Sequence, residues 1–175
     1  MLTYQQLFTK HSPVTAPRST AQPVPGPRYE ALLQLLRTAE SLWNASRVFF
    51  ARWELSPSQF NLLNLLRARP DGLSQTELSR ALIMHRSNVT GLIDRLEDRG
   101  LVARRDSPDD RRAYRVVLTA AGRKLLESIL PEYYQAAEQV WGGLPVPQAK
   151  RLVAHLAQLS RNAEQLGPSG KGHEN

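Results

Sequence analysis

One stretch, residues 73–122, constrains the fold more than any other: LSQTELSRALIMHRSNVTGLIDRLEDRGLVARRDSPDDRRAYRVVLTAAG. Ser74-Gln75-Thr76-Glu77 has the S-x-x-E spacing of a capping box, in which each of the two side chains takes an orphan backbone N–H, and it opens a short helix to about Leu82. After a four-residue break (83–86), SNVTGLIDRLEDRG places Val89, Leu92, Ile93 and Leu96 on one helical face. Ser87, Asn88, Gly91, Asp94 and Arg95 fall on or beside the opposite face. Gly100 suits a left-handed helix stop. Residues 101–105 and 114–118 read as two strands joined by a loop of mixed charge. Two short helices with a tight turn, the second polar near its start, followed by a hairpin, predict a winged helix-turn-helix.

The flanks read as helices. Residues 1–27 hold five prolines and are expected to form an irregular arm with polyproline character. Residues 28–53 predict one long helix, with Tyr29, Leu32, Leu36, Ala39, Trp43, Phe50 and Trp53 at helical spacing and Leu33, Leu35, Leu42 and Phe49 widening the stripe. So broad an apolar face calls for burial against several helices, including those of a second chain. Ser56, Pro57 and Gln59 make another capping box with proline at the first helical position, and Pro70-Asp71-Gly72 ends that helix in a turn. Thr119 caps a helix that Pro131 is expected to kink or restart. Gly142-Gly143-Leu144-Pro145 breaks the chain before a last helix beginning near Pro147. The expected fold is therefore mainly α with a small β-hairpin wing. It comprises an arm (1–27), a long helix (28–53), a winged helix-turn-helix domain (54–119), C-terminal helices (120–166) and a polar tail (167–175).

Charge and composition narrow the function. A formal net charge of +7 favours a polyanionic partner, nucleic acid first, and the basic residues are 19 Arg against 4 Lys. Arginine presents a planar fork that suits phosphates, guanine edges and narrow minor grooves. The absence of cysteine excludes disulfides, thiolate zinc sites and cysteine redox switches. The chain shows no nucleophile–base pair, no metal cluster and no glycine-rich phosphate loop, and His11, His85, His155 and His173 are scattered. An enzyme is not expected, nor is a cofactor or metal. No apolar run is long enough to cross a membrane and no signal peptide is visible, so a cytoplasmic location without membrane association is expected.

With these residues in view, 28–166 resembles the MarR family of bacterial transcription regulators. The resemblance rests on the ordered set of a short helix, a recognition helix ending in "DRLE..GLV.R", a wing with "D.DRR", and "LT..G". It implies an obligate homodimer with interlocked first and last helices, bound to double-stranded DNA at a pseudo-palindromic operator, and a repressor more often than an activator. It also implies a small aromatic or phenolic ligand lodged between the dimerisation helices and the winged helix, where Trp43, Phe50, Trp53, Phe60, Tyr133, Tyr134 and Trp141 are candidate lining residues. The alternative is a winged-helix architectural or protein-interaction module without a specific operator.

A recognition helix enters the major groove with its N-terminal turns. Arg86, Ser87, Asn88 and Thr90 are accordingly the candidate base and phosphate contacts, with arginine matched to guanine and asparagine to adenine. His85 stands where the family has a small capping residue and is a candidate phosphate donor. Ser74, Gln75 and Thr76 begin the preceding helix, whose free N–H groups favour a phosphate. Arg95 is a further backbone contact. At the wing, Arg112 matches the family's minor-groove arginine, Arg111 is placed on phosphate, and Asp110 matches the wing aspartate that holds the loop through an internal ion pair. Gly91 departs from the long polar residue that relatives carry there.

Overall fold

A computed structural model describes residues 25–82, 84–106 and 114–166. The order is α1 (Pro27–Ala51), α2 (Pro57–Arg67), β1 (Leu73–Ser74), α3 (Gln75–Leu82), α4 (Arg86–Asp98), β2 (Val102–Asp106), β3 (Tyr114–Leu118), α5 (Ala120–Trp141) and α6 (Val146–Leu166). The chain divides into two units, residues 1–48 and 49–175.

In the first unit, the described residues form the greater part of α1, and none of them is buried. Tyr29, Leu32, Leu36, Leu42 and Trp43 are all 43–49% exposed. Its side-chain hydrogen bonds are local, as from Asn44 to Glu40 at 3.1 Å.

The second unit has the core. α1 ends in a Schellman-type cap: Leu55 N–H donates to Phe50 O at 3.2 Å and Glu54 N–H to Ala51 O at 3.0 Å. Glu54 takes the left-handed conformation (φ 54°) usually given to glycine. α2 starts as expected: Gln59 N–H donates to Ser56 Oγ at 3.2 Å, and Ser56 N–H to Gln59 Oε1 at 2.8 Å. Phe60, Leu62, Leu63 and Leu66 of α2 then pack with Leu78, Val89, Ile93, Leu96, Val116, Leu126 and Ile129 in one apolar cluster. Burial of these side chains, each worth about 1.5–3 kcal/mol, holds α2–α5 and the sheet together.

Three strands form the sheet rather than two, in the order β1-β3-β2, all antiparallel. The added strand, Leu73–Ser74, is two residues long and pairs Leu73 with Val116. So short a run carries no alternation for a sequence pattern to reveal. In the hairpin Val102 faces Leu118 and Asp106 faces Tyr114.

α5 continues from Ala120 through Pro131 to Trp141 without restarting. Proline removes one helical hydrogen bond, but Leu126, Ile129 and Leu130 before it and Tyr133 after it all pack on the same core, and that burial holds the helix. α6 contains no buried residue. Among the described residues, no helix is long and apolar enough to cross a membrane.

Candidate nucleic-acid interface

The inner face of α4 is fixed by Val89, Ile93 and Leu96, each fully buried, and Leu92 at 6% exposure. This orientation leaves Arg86, Ser87, Asn88, Asp94 and Arg95 exposed on the other side. His85 is the N-cap residue but makes no capping bond with its side chain. Its Nδ1 instead lies 2.9 Å from Ser87 Oγ, tying the two candidates together at the helix entrance. Gly91 is followed one turn on by Arg95, whose Nη2 lies 3.6 Å from where a Cβ at Gly91 would sit. The guanidinium of Arg95 thus lies back along the helix over Gly91.

The capping box at α3 is reciprocal: Ser74 N–H donates to Glu77 Oε2 at 2.7 Å and Glu77 N–H to Ser74 Oγ at 3.3 Å. The Ser74 backbone N–H and then its hydroxyl hold the Glu77 carboxyl below the ordinary carboxylate range, against a smaller opposing effect of burial; Arg115 and Arg69 add to the lowering. Arg115 also pins the preceding turn, donating to Asp71 O at 2.9 Å and Gly72 O at 2.8 Å.

Gln75 and Thr90 face each other rather than solvent. Gln75 Nε2 donates to Arg86 O at 3.0 Å and to Thr90 Oγ1, while Gln75 Oε1 accepts from Tyr114 Oη at 3.0 Å. Thr90 uses its only hydroxyl hydrogen on Arg86 O at 3.1 Å. A phosphate accepts hydrogen bonds, and in this arrangement neither side chain has a free hydrogen for one. Both residues are candidate DNA contacts, and without DNA they bond to each other and to Arg86 O. Thr76 is half-buried beside them, without a side-chain hydrogen bond among the described residues.

The base of the wing is tied to the far half of α4. Arg104 on β2 pairs with Asp94 and Glu97, and its backbone N–H donates to Glu97 Oε1 at 2.9 Å. Its guanidinium carbon lies 5.1 Å from the centre of the Tyr114 ring. Sequence spacing did not reveal this pairing, because the acids are on a helix and their partner lies beyond a turn. Strand alternation carried the available signal: with Arg104 opposite Val116 and Asp106 opposite Tyr114, Arg104 and Tyr114 share a sheet face. Asp110, Arg111 and Arg112 lie outside the described residues.

Five of the aromatic candidates, all in the second unit, form one aromatic group with Phe49. Phe50 and Phe60 are buried and stacked on each other at 4.2 Å, with Tyr133 at 5.5 and 4.8 Å from them. Trp53 and Tyr134 sit at the edge of this group, Trp53 through Phe49 at 5.3 Å and Tyr134 through Tyr133 at 6.4 Å. The rings fill one another's space and do the work of a core. Trp43 belongs to the first unit, and Trp141 is 40% exposed. A cleft of about 650 Å³ lies elsewhere, between the α2–β1 turn and α3, lined among others by Arg69, Asp71, Glu77, Arg80 and Arg115.

A short helix, a recognition helix with an exposed polar entrance, and a hairpin braced against it define a winged helix-turn-helix protein. The model of the MarR family matches residues 53–113. The HTH-type transcriptional repressor YetL of Bacillus subtilis (strain 168) is 30% identical over 151 residues, covering 86% of this chain and 90% of YetL. The transcriptional repressor MprA of Escherichia coli (strain K12) is 31% identical over 62% of this chain, and the match spans 62% of MprA, less than two thirds of its length. A solved structure of Bordetella bronchiseptica BpsR, concerning regulation of its DNA binding by 6-hydroxynicotinic acid, superposes with a TM-score of 0.68. It is 30% identical and covers 78% of this chain and 98% of that one. The chain belongs to the MarR family.

Proposed function

We propose that this protein is a sequence-specific DNA-binding transcriptional regulator, acting as a homodimeric repressor on a pseudo-palindromic operator. The observation that carries the reading is the entrance of α4: Arg86, Ser87 and Asn88 stand exposed while Val89, Ile93 and Leu96 lock the opposite face into the core. These are residue types that read base edges, at the end of the helix that enters the groove. Ser74, His85 and Arg95 serve the phosphates on either side, and Arg111 and Arg112 extend the contact from the wing, with Asp110 bracing the loop. The two named repressors among the relatives support the sign of regulation.

Dimerisation is supported by apolar surface within each unit. Tyr29, Leu32, Leu36 and Trp43 of α1, and Leu152, Val153 and Leu159 of α6, are all more than a third exposed. A second copy covering these faces sets two recognition helices on half-sites about one helical turn, roughly 34 Å, apart. Release by a small aromatic ligand is part of this reading, and it is supported by BpsR, whose DNA binding is regulated by 6-hydroxynicotinic acid.

Selection from random duplex DNA tests the reading. The chain is expected to recover one pseudo-palindrome and to prefer it to bulk DNA by about a thousandfold or more. Asn88→Ala combined with Arg112→Ala is expected to abolish the preference while sedimentation still reports a dimer. A chain that selects no site is an architectural or interaction module instead.

A further inference from the structure

Gln75 and Tyr114 belong to separate elements, and the Tyr114 ring packs against the apolar core. Their polar atoms nevertheless form one chain from the wing to the start of the recognition helix. The polarity of this chain is set by chemistry. Arg86 O can only accept, so Gln75 must turn its amide nitrogen toward it and its oxygen toward Tyr114. Tyr114 is then obliged to donate. The same nitrogen donates its second hydrogen to Thr90 Oγ1, whose own hydrogen goes back to Arg86 O. Flipping the amide would oppose two carbonyl oxygens, so only one arrangement satisfies every group.

On the other side of its ring, Tyr114 meets the Arg104 guanidinium, which is held by Asp94 and Glu97. The recognition helix is thus gripped at both ends from one wing face. Its first turns are held through Gln75 and Tyr114, and its last turns through Arg104. A helix gripped at positions 86, 90, 94 and 97 cannot rotate or slide against the wing without breaking one of these bonds.

We propose that Gln75 and Tyr114 are positioning residues for DNA reading. They touch no DNA, and they set the rotation of α4 relative to the wing so that Arg86 and Asn88 meet base edges in register with the wing's own contact. The inference rests on the DNA-binding reading above. It predicts a loss that falls on specificity and spares general affinity, because no phosphate contact is removed.

The test is a double-mutant cycle with Tyr114→Phe, which removes one hydroxyl and keeps the ring, and Gln75→Met, which keeps length and removes the amide. Tyr114→Phe is expected to lower the ratio of selected-site to random-sequence affinity by about fivefold to tenfold, the worth of one neutral hydrogen bond, and Gln75→Met, which breaks three, by at least as much. The double variant is expected to lose little more than Gln75→Met alone, because both changes break one chain. Affinity for random DNA and its salt slope are expected to stay at wild-type values. Additive losses, an unchanged ratio in Tyr114→Phe, or a fall in random-sequence affinity in Gln75→Met as large as its fall on the selected site would overturn the inference. A second measurement needs no DNA. In the free protein the Gln75 side-chain amide protons are expected to exchange slowly with solvent, and Tyr114→Phe is expected to speed that exchange severalfold; fast exchange in the wild type also overturns the inference. Failure of the wild-type chain to select any site, with slow exchange intact, would overturn the DNA-binding reading and the proposed role together while leaving the bonded chain itself standing.

Discussion

Arg99 closes the end of α1 from a distance of 45 residues: its Nη1 donates to the carbonyl oxygen of Glu54 at 2.6 Å, and Nη2 reaches Trp53 O at 3.1 Å. Arg99 is itself the C-cap residue of α4. One side chain therefore joins the last turn of the recognition helix to the carbonyls that the Schellman cap leaves over. Truncation to Met is expected to cost about 1–2 kcal/mol, lowering Tm by a few degrees, because two carbonyls lose a charge-assisted partner at a site that water still reaches. Lysine is expected not to restore it, since a single ammonium cannot span both oxygens as the guanidinium fork does. Thermal unfolding of the three proteins checks the order.

The proposed DNA contacts are expected to separate by type. Asn88→Ala is expected to relax base preference at one position of each half-site, costing about 1–3 kcal/mol of discrimination. Arg95→Ala is expected to weaken binding to all sequences alike and to lower the salt slope by about one for each phosphate released. Titrations against the selected site and a scrambled duplex, at several salt concentrations, distinguish the two. Equal behaviour of the two variants would contradict the assignment.

Arg104 neutralises two carboxylates on the helix proposed to enter DNA. Asp94 and Glu97 sit on the recognition helix, and Arg104 bonds to both. Arg104→Met removes one positive charge, leaves two negative ones uncompensated, and breaks the side-chain brace between β2 and α4. DNA affinity is expected to fall by more than removal of a single phosphate contact would cause. Adding Asp94→Asn and Glu97→Gln to that variant is expected to recover part of the loss, by removing the repulsion without restoring the brace. Filter-binding or fluorescence anisotropy at fixed salt reads both steps.

The order of elements was legible because caps and breakers are local. Ser56, Ser74 and Thr119 each cap the helix that their spacing implied, and Gly100 turns the chain after α4 with φ 67°. The end of α1 was less legible, since Glu54 occupies the left-handed position that glycine would have marked. Candidate contacts on exposed turns, such as Asn88, followed from helix periodicity. The internal roles of Gln75, Thr90 and Arg104 did not, because a polar residue at the start of a helix reads the same whether its partner is a phosphate or another side chain. That distinction depends on which strand packs beside it, and so on tertiary contacts between residues as far apart as 75 and 114.

Glu77 gives the domain a dependence on acid. Its folded pKa is lowered, chiefly by the hydrogen bond from the Ser74 backbone N–H, so the unfolded chain binds its proton more readily. The stability it contributes is fully present above the ordinary glutamate pKa near 4.5 and is lost as the pH falls through the lowered folded value. Glu77→Gln keeps an oxygen for Ser74 but cannot titrate. Its unfolding free energy is expected to vary less than that of the wild type below about pH 5, and to be lower at pH 7. Urea melts across pH 3–7 give the comparison; parallel curves for the two proteins would show that Glu77 does not set the acid response.

The same substitution at two helical glycines is expected to act in opposite directions. At Gly91 a methyl group meets only the mobile end of Arg95 at 3.6 Å, so alanine gains helix propensity at no steric cost. Gly91→Ala is expected to stabilise by about 1 kcal/mol, raising Tm by about 2–4 °C. At Gly122 a Cβ would stand 2.1 Å from Leu101 O and 2.8 Å from Leu118 Cδ1. Here α5 approaches the start of the hairpin so closely that Thr119 Oγ1 bonds both to Gly100 O at 2.7 Å and, as acceptor, to Gly122 N–H at 3.0 Å. Alanine must push backbone away from backbone, and no rotamer change relieves it. Gly122→Ala is expected to destabilise by about 1–3 kcal/mol, the usual range for overpacking, despite its better helix propensity. Differential scanning calorimetry of the two variants decides the matter: a stabilised Gly122→Ala protein would mean that α5 can withdraw from the hairpin without loss, and that the glycine of the LTAAG segment is not there for close approach.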